Sequence, residues 1–407
     1  MPRFFTLLMV LSCLVWWTSC DIADNEVEPG MSFTQIYDDR SSTTEYDPLS
    51  LVQTEDGGYL ALAATNAWNG YLLKTDSDGQ FIWEIHVDEA YVNPLETIIQ
   101  ADDQYYIVCM NEVTLAATIL HVDLAAQTAT PILEVNEVQY PLAVSQTADQ
   151  TLLMLGYHQE SRSSTLHAFN ATFGDTLTTT LTANWSKRYA VEEDIEEEIV
   201  EHISRTGRRL PFMVGASADG QSYYFNGFAN YTLGLNFVNP QNGDLLGTMN
   251  GFRDGAFVNA AHPLQGNQYA LARSNFGVNA LLPLVEVDPG AVASSSELPA
   301  NDFPEIDSDA RIVVHEIVHQ TQPMILFATH TKKRQLIFYA YDKVNGTLLG
   351  TQYLGQTNPY QVGDFVMTED GGLAVLAETF LAGRFSRPCL FKLSADEVDA
   401  FVRQQTN

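Results

Sequence analysis

The stretch "VVHEIVHQT" sets His315, Glu316 and His319 in an H-E-x-x-H spacing. On a helix this spacing puts two imidazoles one turn apart, able to hold zinc while the glutamate acts as general base. The chemistry therefore needs a helix here and a third ligand downstream, and the sequence signals neither. The run "RIVVHEIVHQT" is β-branched, Pro323 follows four residues after His319, and no glutamate occurs between 316 and 369. On a strand, residues four apart share a face but stand about 13 Å apart, too far to chelate one ion. The reading is two polar residues on an inner strand, with no metal.

The other spacings that suggest chemistry are weaker. "DSDGQ" pairs Asp76 with Asp78 as part of a calcium loop would, but lacks the further acidic position and the distal glutamate. It reads as a tight turn capped by Asp and Gly. No Gly-x-Ser-x-Gly elbow, Ser-His-Asp order or sialidase-type Asp-box is visible, so no catalytic, cofactor-binding or metal residue is assigned. A catalytic carboxylate pair among 51 acidic residues would leave no sequence signal. The formal charge of −31 repels phosphate backbones, which argues against a nucleic-acid partner.

What must position any such residues is a repeat. "SLVQTEDGGYLALAAT" (50–65) returns as "DFVMTEDGGLAVLAET" (364–379), and five looser copies lie between them. Turn centres fall near Gly58, Gln104, Gln150, Gln221, Asn267, Gln322 and Gly372. Each copy is a hairpin rich in Tyr, Leu, Ala and Val, followed by a third strand, a turn and a fourth strand. Seven units of four antiparallel strands predict an all-β, seven-bladed β-propeller over residues 31–407. The last unit runs out after its third strand, and "MSFTQIYDD" (31–39) precedes the first. The expectation is that this N-terminal strand pairs with the last unit and closes the ring.

The fit is best in "QTEDGGYLALAAT" and "LLKTDSDGQFIW", with Thr54, Asp56, Gly57, Gly58, Tyr59, Lys74, Asp76, Gly79 and Trp83. These residues resemble a T-x-D-G-G-Y … K-x-D-x-x-G-x-x-x-W propeller repeat of bacterial secreted and surface proteins. That resemblance implies a fold and no single activity. "NPQNGDLLG" and "DKVNGTLLG" resemble quinoprotein hairpins but lack their tryptophan, so no quinone or other cofactor is expected.

The first twenty residues, "MPRFFTLLMVLSCLVWWTSC", have a positive start and an uncharged apolar run too short to span a membrane. Thr18, Ser19 and Cys20 resemble the lipobox of bacterial lipoproteins, although Trp17 stands where an aliphatic residue is usual. The resemblance implies a signal peptide at 1–19, lipidation at Cys20 and a tether at 20–30. It also implies attachment to a bacterial membrane in the cell envelope, the outer membrane in this reading. Cys109 and Cys389 sit among apolar residues as small hydrophobes, though one long-range bridge between them stays open.

One segment breaks the spacing. Residues 187–210 carry Val191, Ile195, Ile199 and Ile203 at four-residue intervals among many acids, predicting a short acidic helix inserted between blades three and four. Residues 289–307 read as a second, plain-loop insertion. The expected role is a monomeric binding or scaffold module for a protein or glycan ligand. The alternative is an extracellular polysaccharide hydrolase or lyase working in the central channel, which ionisable groups converging at one channel mouth would favour.

Overall fold

The computed structural model describes residues 30–38, 43–101, 103–174, 179–252, 255–381 and 385–404. Seven sheets follow one another along the chain. Blade one shows the plan, with Tyr46–Gln53, Tyr59–Thr65, Gly70–Thr75 and Phe81–His86 pairing antiparallel in sequence order. The second strand, "YLALAAT", is buried along its whole length because both of its faces meet a neighbouring blade. Leu60, Leu62 and Ala64 pack towards blade two, while Tyr59, Ala61 and Ala63 pack towards blade seven. Period-two alternation thus serves two apolar interfaces at once, and the strand reads as an unbroken hydrophobic run.

Ring closure is as expected. Phe33–Ile36 pairs with Phe385–Leu393, placing Phe33 opposite Lys392 and Gln35 opposite Leu390. Phe33 lies over Gly79, where an alanine Cβ would come within 2.3 Å of the ring, and the Tyr37 hydroxyl donates to the Gly79 carbonyl. Blades one and seven are therefore neighbours. Their first strands touch at Gly363, whose absent side chain leaves room for Pro48.

The two "TEDGG" copies owe their likeness to one device. Asp56 accepts from the Thr54 hydroxyl, from the Gly58 amide and from Lys74 Nζ at 2.9 Å. Lys74 comes from the third strand with its side chain 3 % exposed and also donates to the Thr75 carbonyl. Blade seven repeats this with Thr368, Asp370, Gly372 and Lys392. The second glycine is obligatory: an added Cβ would lie 2.5 Å from Lys74 Nζ at Gly58 and 2.0 Å from Lys392 Nζ at Gly372. Asp76 is likewise a turn cap, accepting from the Asp78 and Gln80 amides.

Antiparallel order puts these turns on one rim, here called lower. The second-to-third-strand hairpins and the connections between blades fall on the upper rim. Four first strands bulge near their upper ends, at Pro48/Ser50, Pro141/Ala143, Val258/Ala260 and Val362/Asp364. Bulges re-aim side chains, and here they do so around the channel mouth.

Three details differ from the sequence reading. Lys187 to Ala190 belong to the outermost strand of blade three, Thr180–Ala190, so the excursion starts at Val191. Residues 289–307 are not plain loop. Val292–Ser294 adds a parallel fifth strand to blade four, and Asn301–Asp302 is the short outer strand of blade five. Their Ser, Ala and Pro content carries no alternation to announce them. The chain also ends in a helix, α2 (Ala395–Val402), started by a Ser394/Glu397 capping box and packed on blade six through Phe401.

Candidate functional site

The H-E-x-x-H residues lie on the strand Val313–His319, the innermost of blade six. Each is engaged separately. His315 Nε2 meets Asp364 Oδ1 at 3.1 Å, Glu316 takes both of its oxygens to Lys343, and His319 Nε2 meets Asp399 Oδ1 at 2.9 Å. Among the described residues no three His, Cys, Asp or Glu side chains gather where they could hold a metal ion. Cys109 and Cys389 are buried free thiols, so no bridge joins them. Burial pushes the Cys109 thiol up to about 12. Cys20 lies outside the described residues.

The inserted segment is where charge converges. Its helix, α1 (Glu196–Ser204), buries Ile199 and Ile203, and Val191 and Ile195 bury with them in the cluster between blades three and four. The acids Glu196, Glu197 and Glu198 occupy its first turn, where the helix dipole favours negative charge. It stops at Arg205, which adopts φ +54°. From there 205–212 crosses the upper end of the channel.

The crossing is held by ion pairs to distant blades. Arg205 Nε meets Asp47 of blade one at 3.0 Å, and its NH2 donates to the Pro94 carbonyl. Arg209 NH2 meets Glu96 at 3.1 Å, and Arg311 reaches the same carboxylate at 3.0 Å. Arg311 further donates to the Pro48 and Leu49 carbonyls. Arg209 also donates to the His202 carbonyl, while His202 Nδ1 accepts from the Leu210 amide, so the ring proton of that buried histidine sits on Nε2. Burial and the two nearby guanidinium groups hold His202 neutral, well below its ordinary range.

This crossing segment closes a cavity of about 290 Å³ on the propeller axis. First strands, or the residues leading into them, contribute from six blades, with Asp47, Glu96, Met213, Asn259, Ile312 and Gln361 as examples. Burial raises the Glu96 carboxyl, but Arg311, Arg209 and Arg205 outweigh it and hold the group below the usual range. Burial and Arg209 push Arg205 down to about 10, partly offset by Asp47. Glu378 goes the other way. Burial first, then the nearby Asp47 and Glu45, keep it well above the carboxylate range despite Arg334. Gln361 Nε2 donates to Glu378 Oε1 at 3.4 Å. This shift favours the neutral form of Glu378, which would give that wall a hydrogen-bond donor.

The opposite wall carries Arg208. Its guanidinium stacks 4.8 Å from the centre of the Phe257 ring and meets Asp309 at 3.8 Å, with the Asp309 side chain 73 % exposed. Sequence reasoning singled out the insertion but neither Asp47, Glu96, Glu378 nor Arg311. Those four are scattered over three hundred positions, and only the ring brings them together.

No family model matches the chain, and no curated protein matches it. Among solved structures, a chain of S. cerevisiae core factor is similar at TM-score 0.50 and 10 % identity, covering 89 % of this chain and 61 % of that one. The β-propeller domain of the Trilobed protease from Pyrococcus furiosus aligns at TM-score 0.45 and 12 % identity, covering 86 % and 95 %. The WD40 domain of Toxoplasma gondii coronin aligns at TM-score 0.47 and 11 % identity, covering 89 % and 86 %. Likeness at such identity concerns the fold alone.

Proposed function

We propose that this propeller is a binding module of the bacterial cell envelope, anchored through acylated Cys20 and presenting its upper channel mouth to a ligand. The propeller supports a binding or scaffold role in general, and the mouth cavity is the observation that carries the finer reading. A rigid ring holds it, a dedicated insertion roofs it, and polar and apolar groups line it together, as ligand pockets require. The ligand is a glycan or a protein segment, and the acidic surface excludes nucleic acid. The module is a monomer of the secreted and surface propeller-repeat kind that its "TEDGG" turns resemble.

Filling the mouth tests this. Ala260→Trp puts an indole into the cavity wall, and a thermal-shift screen of oligosaccharides and peptides compares it with the wild type. Ligands that raise the wild-type Tm should lose that effect in the variant. A ligand stabilising both equally would overturn the mouth as the site. For the anchor, Cys20→Ala should abolish incorporation of labelled fatty acid, and persistent labelling would refute it.

A second reading, hydrolysis or elimination on an extracellular polysaccharide, is favoured by one observation. Glu378 and Asp47 line one cavity, and burial with the neighbouring carboxylates raises the proton affinity of Glu378, as a general acid requires. Release of reducing ends or unsaturated sugars by the wild type, lost in Glu378→Gln, would establish it. No turnover with a bound polysaccharide would dismiss it.

A further inference from the structure

Three large aromatic side chains stand in solvent together on the upper rim of blades four and five. Tyr231 is 61 % exposed, Phe252 64 % and Phe276 69 %. Tyr231 tips the hairpin between Tyr223–Ala229 and Thr232–Val238, and Phe276 tips the one between Gln268–Asn275 and Val278–Glu286. Phe252 leads from blade four into blade five. Leu235 pairs with Met249, so Tyr231 and Phe252 leave blade four side by side. The Phe276 amide donates to the Gly255 carbonyl, and its ring lies 5.6 Å from that of Phe252.

Phe276 is displayed against the preference of its own turn. Asn275 pairs with Val278 across Phe276 and Gly277, which sit at φ +47° and +81°. Such a turn favours Asn, Asp or Gly at its first centre, where a bulky side chain crowds its own backbone. The blade-four hairpin places Asn230 there, at φ +54°, and sets its ring one residue later. Strain held at an exposed ring, where burial does not offset it, points to a surface role.

The chain beside these rings is acidic. The Asn230 amide donates to the Ala190 carbonyl and the Glu192 amide to the Asn230 carbonyl, which lays the start of the insertion along the Tyr231 hairpin. Glu192, Glu196 and Glu197 are exposed there. Among the described residues none of the three meets a cation, whereas Asp194 meets Arg162 at 3.5 Å. Aromatic faces and carboxylates both attract ammonium and guanidinium groups. With more than half of each ring in solvent the strip is open, which suits an extended chain, since small-molecule sites bury most of their ligand. A second copy of this chain, at −31, would bring like charge to the strip, and a neutral glycan would leave its carboxylates unused.

We propose that this strip docks a basic polypeptide segment. Its Lys or Arg side chains lie between the rings of Tyr231, Phe252 and Phe276 and the carboxylates of Glu192, Glu196 and Glu197, and its apolar side chains cover the rings. None of these six residues lines the mouth cavity, so the strip is a second surface and stands apart from the reading above.

Fluorescence anisotropy at physiological ionic strength tests it, with labelled decapeptides of alternating Lys–Leu, Lys–Ser and Glu–Leu and with labelled maltohexaose. Lys–Leu should bind about tenfold more tightly than Lys–Ser, and Glu–Leu and maltohexaose should not bind. Phe276→Asn should weaken Lys–Leu about tenfold while Tm stays equal or rises, because it gives the turn its favoured residue. Joint Glu196→Gln and Glu197→Gln should weaken it about threefold and flatten its salt dependence. Phe81→Ser, exposed on the lower rim, and Ala260→Trp, in the mouth, should change nothing. Loss of binding in Ala260→Trp would place the peptide in the mouth and overturn the strip. Equal binding of Lys–Leu and Lys–Ser would reduce the effect to the general attraction of an acidic protein, and a preference for maltohexaose would make the rings a glycan platform. A lower Tm for Phe276→Asn would make its ring structural. Each of these outcomes overturns the proposal, as does silence from Lys–Leu.

Discussion

Removing the aspartate of a lysine-clamped turn should cost more than removing the same aspartate from a turn without lysine. In Asp56→Ala the ammonium of Lys74, 3 % exposed, keeps only the Thr75 carbonyl at 2.7 Å. Breaking one side of a fully buried pair costs about 3–5 kcal/mol. Asp56 is 58 % exposed and water recovers part of that, giving about 2 kcal/mol. Asp370 is 39 % exposed above an equally buried Lys392, so Asp370→Ala should cost about 3 kcal/mol. Asp149 caps the equivalent turn of blade three through Thr147 with no lysine in its hydrogen-bond set, and its loss should cost about 1 kcal/mol. Unfolding entropy of about 2.1 cal/mol/K per residue over 377 residues (31 to 407) converts these to drops in Tm of about 2.5, 4 and 1 °C. Thermal unfolding followed by circular dichroism reads them. Lys74→Met in the Asp56→Ala background should restore stability, because it removes the stranded charge. Three equal losses, or a double variant worse than either single one, would refute the clamp.

Partial burial raises Asp56 and Asp370, but their hydroxyl, lysine and amide partners hold both below the ordinary carboxylate range. Their stabilisation is complete above an unfolded value of about pH 3.9 and is lost as pH falls through the lower folded values; Lys74→Met should therefore move acid unfolding to higher pH. Ile199→Ala, under the inserted helix, should cost about 2–5 kcal/mol, while Val200→Ala on its exposed face should stay within about 0.5 kcal/mol by urea denaturation. Deleting residues 31–37 uncovers the edge of Phe385–Leu393 and should give concentration-dependent association by light scattering; a stable monomer would refute closure as the edge's protection. EDTA or added zinc should leave Tm unchanged, because His315 and His319 answer to different carboxylates, and a zinc-dependent rise above 1 °C would contradict their separation.

The two rims of the ring differ in how far apart in sequence their partners lie, and that difference decides what could be read. On the lower rim the contacts are local. Thr54 and Asp56 are two residues apart and Lys74 is eighteen further on, so one turn, one hairpin and one glycine step fix the device, and it recurs in blade seven. The repeat, the blade count and the closing strand follow from such patterns. Helix α2 was legible by the same standard, since Ser394 and Glu397 form a capping box before an apolar run.

The upper rim is built from pairs that no window of sequence contains. Arg209 and Glu96 are 113 positions apart, Arg205 and Asp47 158, and Arg311 and the Pro48 carbonyl 263. Each partner looks like an ordinary surface charge until the ring closes. The mouth therefore depends on the lower rim for its geometry: lysine clamps fix the blades adjoining Asp47 and Glu378, and the crossing segment then finds its carboxylates at fixed distances. A variant that loosens the clamp of blade seven, Asp370→Ala, should accordingly weaken ligand binding at the opposite rim only near its unfolding transition. Weaker binding far below Tm would mean that the two rims are coupled through the blade itself, and that the ring is less rigid than its seven apolar interfaces imply.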